Sequence, residues 1–189
     1  MPQPQSVIVP EPNSAALFVV LKVKNPAANA PAVARLVAQV PVLTAEVGAF
    51  DPDAKLVSAV GIGPAFWFVL SPQKRPRLLR PFKAISAQGR VAPATGGDLL
   101  LHIVSKRHDV NFELGLRLRR ELGDMVEVME EVRGFAYLDS RDLTGFIDGT
   151  ENPHGDEERT AAAIIGSEDP DFAGGSYVLT QRYVHNLEK

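Results

Sequence analysis

The residues from Gly145 to Gly155, GFIDGTENPHG, hold the chain's clearest chemical suggestion. Asp148 stands between Gly145 and Gly149, follows the apolar pair Phe146-Ile147, and precedes Thr150, Glu151 and Asn152. Apolar neighbours disfavour the charged form of a carboxyl group, which raises its pKa and suits it to acid–base work. The flanking glycines carry no Cβ, so the backbone could lie flat against a large planar ligand. Oxygen atoms at Asp148, Thr150, Glu151 and Asn152 also invite a calcium reading, but their spacing departs from the D-x-[DN]-x-[DN]-G loop that wraps that ion. The plainest alternative is an Asx-type turn, in which Asp148 caps its own backbone and Gly149 supplies a positive φ.

Other chemistry is bounded by what the chain lacks. It has no cysteine, which excludes disulfides, thiolate metal sites, a cysteine nucleophile and a thiolate-ligated haem. The histidines lie at 102, 108, 154 and 185, and no pair has zinc-ligand spacing, so no metal site is expected from this chain alone. Each has a structural account: His102 on the polar face of a strand, His108 bonding locally at a helix start, His154 in solvent among acids, and His185 packed beside Tyr183. Net charge is −3 with dispersed basic residues, which argues against a nucleic-acid partner. The one basic cluster, Lys74, Arg75, Arg77 and Arg80, is interleaved with prolines and reads as a solvated loop. Nothing in the composition suggests a membrane span, and the N-terminal MPQPQSVIVPEPN lacks the marks of a signal peptide, so a cytoplasmic location is expected.

The elements that must position the loop follow from periodicity. Residues 1–14 read as an extended, poorly structured lead, because Pro2, Pro4, Pro10 and Pro12 withhold donors. Ala15–Lys24 reads as a central strand, and Ala30–Val40 as an amphipathic helix interrupted near Pro41 and resuming towards Phe50. Lys55–Gly63 is a second strand after the turn signal DPD, and the proline-rich 64–97 a short helix or turn followed by loop. Asp98–Lys106 is a third strand. Asp109 is the expected N-cap of a helix carrying Val110, Leu114 and Leu118 on one stripe, which Gly123 should stop. Met125–Asp139 alternates as a long strand.

The order β-α-β, loop, β-α-β over residues 15–140 predicts an α+β, ferredoxin-like split βαβ module: an antiparallel sheet with both helices on one face. Residues 141–173 form the aspartate loop and an acidic connector, briefly helical through Thr160–Ile165. Residues 174–189 read as the first strand of an incomplete second module, which needs a partner to pair with.

GFIDGTENP resembles the glycine-flanked aspartate motif of the dye-decolorising peroxidases, and LHIVSKRHDVNF and AGGSYVLTQRYVHNL resemble the same family in its bacterial B-type branch. The resemblance covers most of residues 15–189. It implies two packed ferredoxin-like modules, with haem b in the second and the aspartate loop over its distal face. Asp148 is then the distal acid–base group, moving a proton from the inner to the outer peroxide oxygen. Gly145 and Gly149 permit close haem approach, and Ile147, Thr150 and Glu151 lie near the haem or its channel. The implied activity is haem-dependent peroxidation of dyes, phenols or similar donors by hydrogen peroxide. The family's proximal histidine and distal arginine fall beyond residue 189, so a truncated chain is expected, completed by a partner C-terminal half or acting within a homo-oligomer. The alternative expectation is a non-catalytic ferredoxin-like association module.

Overall fold

Alternation along AALFVVLKV decides where the core sits. In β1, Ala15–Val23, residues Ala15, Leu17, Val19, Leu21 and Val23 are buried, while Ala16, Phe18 and Val20 are half-buried and Lys22 is exposed. A computed structural model, describing residues 3–187, builds a four-stranded sheet around this strand. After β1 come α1, Pro26–Gly48; β2, Val57–Ile62; α2, Pro64–Leu70; β3, Ile85–Ala87; and β4, Arg90–Ala92. Then follow β5, Leu99–Ser105; α3, His108–Leu122; β6, Val126–Phe135; and α4, Gly155–Ala163. The sheet order is β2-β5-β1-β6, every neighbouring pair antiparallel. That is the split βαβ arrangement, with β1-α1-β2 and β5-α3-β6 interleaved.

Helices α1 and α3 share one face with the buried side of β1 and β5. Val33 and Val40 of α1 and Leu114 and Leu118 of α3 join Leu17, Leu101 and Ile103 in a single apolar cluster. Full burial of each such large side chain contributes roughly 1.5–3 kcal/mol. Asp98 is buried at the head of β5, where its carboxylate accepts from Val23 N at 2.8 Å and pairs with Lys22 Nζ at 3.2 Å. The opposite sheet face is half-exposed; there Phe18 stacks on His102 with centroids 4.6 Å apart, and burial lowers the His102 pKa from 6.5. His102 thus lies on a partly apolar face rather than a polar one.

Several local expectations are corrected. Helix α1 runs unbroken through Pro31 and Pro41. An interior proline removes one backbone bond, but Val40, Thr44 and Val47 are buried on either side of Pro41, and Thr44 Oγ1 donates to Val40 O at 2.7 Å. By length and composition α1 could cross a membrane, yet its buried residues lie in the core cluster with the sheet. Asp109 is not the N-cap: α3 starts at His108, and the Arg107 guanidinium takes both Asp109 oxygens, at 2.6 and 3.1 Å. The proline-rich stretch holds, besides α2, a short hairpin of β3 and β4 turned through Gln88 and Gly89.

The N-terminal lead is anchored rather than loose. Gln5 Nε2 donates to Val60 O at 3.0 Å and its Oε1 accepts from Val60 N at 2.8 Å. Ser6 Oγ likewise donates to Ser58 O at 3.1 Å and accepts from Ser58 N at 3.0 Å. Side chains therefore occupy the outer edge of β2 where another strand would pair. Pro2, part of the same expectation, lies outside the described residues.

Residues 174–187 form no strand among the described residues. A strand exists only through its ladder, and here the segment has no ladder partner; Arg182 merely reaches Glu130 of β6 at 2.6 Å. The basic cluster is likewise a clamp rather than a free loop. Lys74 pairs with Asp171 at 3.0 Å, and Arg77 N donates to Asp169 Oδ2 at 2.7 Å.

Candidate functional site

The loop bearing Asp148 is a tight hairpin beyond β6. The chain leaves the strand through Leu138, Asp139 and Ser140, all at positive φ. Arg141 and Ile147 form an isolated antiparallel bridge, and Asp142 N donates to Phe146 O at 2.9 Å. Arg141 Nη1 donates to Gly145 O at 2.7 Å across the turn. Asp148 N then donates to Ser140 O at 2.8 Å, and Asn152 N to Gly149 O at 3.0 Å.

The carboxylate that organises this turn is Asp142, not Asp148. Asp142 Oδ1 accepts from Thr144 Oγ1 at 2.6 Å, Thr144 N at 2.8 Å and Phe146 N at 3.2 Å. The Thr144 hydroxyl first, then the two amides and the charge of His185, hold the Asp142 carboxyl below its ordinary 3.8. The signal was readable, since Asp-x-Thr is a common local side-chain-to-backbone pattern. With Asp142 in that role, Asp148 is exposed, and its side chain makes no hydrogen bond or ion pair among the described residues. It does not cap its own backbone.

Phe146 and Ile147 do not enclose the carboxylate. Phe146 is 75% and Ile147 50% exposed, because in a hairpin this short no other element lies over them. Gly145 and Gly149 adopt φ of +93° and +76°, conformations that favour glycine. A Cβ on Gly145 would meet nothing within 4 Å, so that side of the loop is open, whereas one on Gly149 would stand 2.8 Å from Asn152 Nδ2. Thr150 and Glu151 lie beyond, on an open groove of about 600 Å³ shared with Asn152, Pro153, His154 and Glu158. The site is thus one exposed acid on a glycine-supported turn with a clear flank, open to a broad, flat ligand.

Among the described residues no cluster of three or more His, Asp or Glu is placed to hold a metal ion. His102 belongs to the sheet face, His108 begins α3, and His154 is exposed with its amide donating to Glu158 Oε2 at 2.9 Å. His185, expected to pack in a strand, is exposed instead and acts on Asp142 through its charge.

A split βαβ sheet carrying an exposed acid on a glycine-flanked turn defines an α+β, ferredoxin-like module, and comparison with known proteins gives its family. The family model "Dyp-type peroxidase, N-terminal" matches residues 5–136 and "Dyp-type peroxidase, C-terminal" matches residues 139–189. The chain belongs to the Dyp-type peroxidase family, in its bacterial B-type branch. The dye-decolorizing peroxidase of Rhodococcus erythropolis is 38% identical over 186 residues, covering 98% of this chain and 53% of that protein. The Mycobacterium tuberculosis dye-decolorizing peroxidase is 46% identical over 145 residues, covering 77% of this chain and 43% of that protein. DyPB from Rhodococcus jostii superposes with a TM-score of 0.85 at 40% identity, over 92% of this chain and 56% of that one, and a variant of it is solved in complex with heme. The chain spans about half the length of the relatives it matches. The two matched segments meet where β6 ends and the positive-φ run begins.

Proposed function

We propose that this chain provides the distal, acid–base wall of a haem b peroxidase that uses hydrogen peroxide to oxidise dyes, phenols or similar electron donors. One observation carries the reading within the family: Asp148, unpaired and exposed, stands between two positive-φ glycines whose Gly145 flank is open. These residues fit a haem, because a planar macrocycle needs backbone without intervening Cβ atoms and a single proton-transfer group, and the loop offers both. Haem supplies the iron at which peroxide is reduced. Gly145 and Gly149 let the loop approach the ring, and Ile147, Thr150 and Glu151 line its edge or the channel leading to it. Asp148 takes the proton of the inner peroxide oxygen and returns it to the outer oxygen, which leaves as water. The remaining haem contacts would come from the further length that the relatives possess, or from a second copy of the chain. The DyP-type peroxidase of Mycobacterium smegmatis is described as encapsulated. The alternative, an association module that pairs its terminal segment 174–189 with another chain, is not favoured by the family matches.

The test is Asp148→Asn in the haem-loaded protein. Positioned acid–base catalysis contributes about 10²- to 10⁴-fold, so the bimolecular reaction with peroxide should slow by that factor while the Soret band and haem content are kept. An unchanged peroxide rate with haem bound would assign the proton transfer to another group.

A further inference from the structure

Residues 168–177 are clamped to the segment around Lys74 and Arg77, but helix α4, between that clamp and the aspartate loop, has little of its own to hold it. Helix α4 buries no side chain, and apart from Ile165, buried just past its end, its firmest attachment is Arg159. The Arg159 guanidinium reaches back to the N-terminal lead, pairing with Glu11 Oε2 at 2.6 Å and donating to Pro10 O at 3.2 Å. Its side chain is only 18% exposed, and its Nε is buried with no partner. The other end of the lead is fixed to the β2 edge by the paired bonds of Gln5 and Ser6. From α4 the connection continues to the catalytic turn: Glu158 accepts from His154 N, and Asn152 N donates to Gly149 O, next to Asp148.

We propose that the N-terminal lead, residues 5–11, is a strap that fixes the aspartate loop to the first module, with Arg159 as the positioning residue. Asp148 is then held from two sides, by Ser140 of the hairpin and by the path Gly149–Asn152–His154–Glu158–Arg159–Glu11–Gln5–Val60. The strap's hydrogen-bonded attachments are polar and lie at its two ends, Gln5-Ser6 and Pro10-Glu11, while Val7, Ile8 and Val9 between them are half-buried. A guanidinium held by two separate acceptors, the Glu11 carboxylate and the Pro10 carbonyl, is fixed in direction as well as distance. The catalytic consequence rests on the peroxidase reading, whereas the mechanical one does not.

Charge reversal separates the possibilities. Amide exchange over residues 149–158 is followed in the purified protein for Glu11→Arg, Arg159→Glu and the pair together. Each single reversal should speed exchange by up to about fivefold, the range set by loss of one partly exposed ion pair. The double variant, with the charges exchanged, should return to within about twofold of the parent. In case Arg159→Glu does not fold, Glu11→Gln and Gln5→Ala release the strap from its other residues and should each give the same local acceleration. In the haem-loaded protein the singles should slow the peroxide step, with the Soret band kept and the double variant recovering. Unchanged exchange in every variant, or a double variant as fast as the singles, overturns the strap. If Asp148→Asn leaves the peroxide step intact while the exchange pattern holds, the acid–base role of Asp148 fails and the strap stands.

Discussion

Replacing Gly145 by alanine, with Gly149→Ala as its comparator, tests which face of the loop meets the haem. Both backbones sit at positive φ, +93° and +76°. An L side chain in such a conformation costs roughly 1–2 kcal/mol, a factor of about 5 to 30 in the population of the ordered turn. At Gly145 that is the whole cost in the haem-free protein, since nothing lies within 4 Å of the new Cβ. At Gly149 the Cβ stands 2.8 Å from Asn152 Nδ2, so the amide must also swing aside. Off-rotamer displacement of that kind adds about 0.5–1.5 kcal/mol. Without haem, therefore, Gly149→Ala should loosen the loop more, read as faster exchange of the Phe146 and Asp148 amides, with the main unfolding transition unmoved because neither residue touches the core. With haem the ranking should reverse: on the proposed reading the ring lies on the open flank at Gly145, so haemin titration should show the larger affinity loss for Gly145→Ala. If Gly149→Ala loses as much affinity or more, the ring does not lie on the Gly145 flank.

Two further outcomes concern titration. The Asp142 carboxyl is held below 3.8 chiefly by the Thr144 hydroxyl, so its contribution to loop order is present above 3.8 and is lost as pH falls through the depressed folded value. Exchange of the Phe146 amide should accelerate on that acid limb, and Asp142→Asn should remove the limb; a parent loop equally ordered throughout would sink the assignment. The His102 pKa is lowered from 6.5 by burial, so the unfolded chain takes up its proton first, and stability falls as pH drops from 6.5 through the lower folded value. Denaturant midpoints for His102→Phe should be flatter than the parent over that range, and an NMR titration of His102 at or above 6.5 would contradict the burial argument.

Where local pattern and packing agree, the sequence was legible. AALFVVLKVK reads as a strand because one set of alternate positions is wholly apolar, and those are the buried residues. Val110, Leu114 and Leu118, a stripe at helical spacing, are buried in α3 together with Asn111 and Leu122, and Gly123 ends it at φ +51°. Reading failed where a distant partner outvoted a local rule. Pro41 should break α1, but residues on either side of it are held in the core. Asp109 should cap α3, but the Arg107 fork claims it. Lys74 and Arg77 looked solvated because their acceptors, Asp171 and Asp169, come more than ninety residues later. Strands β3 and β4 span three residues each around Gln88-Gly89, too short for alternation to register. The identity of the loop was legible from its glycines and aspartate; its internal support by Asp142 was also written in Asp-x-Thr, though the more conspicuous Asp148 drew the capping role.

The misreading of Asp148's surroundings has a physical lesson. Adjacency in sequence to Phe146 and Ile147 suggests desolvation, but desolvation depends on what excludes water from above, and in this hairpin both side chains turn outward. The same holds further on: Leu179, Tyr183 and Val184, the last 92% exposed, carry strand-like composition without a ladder to bury it. Apolar groups that remain in water contribute no hydrophobic stabilisation until another surface covers them. The chain spans about half the length of its relatives, and these exposed residues fall in the segment matched to the family's C-terminal domain. Ser140 and Asp142 therefore fix the turn that carries the acid, with the strap as their proposed support, while the dielectric that would tune Asp148 for the proposed proton transfer depends on what covers the site. Position and tuning are separate contributions from separate parts of the molecule, and only the first is encoded in GFIDGTENPHG and its supports.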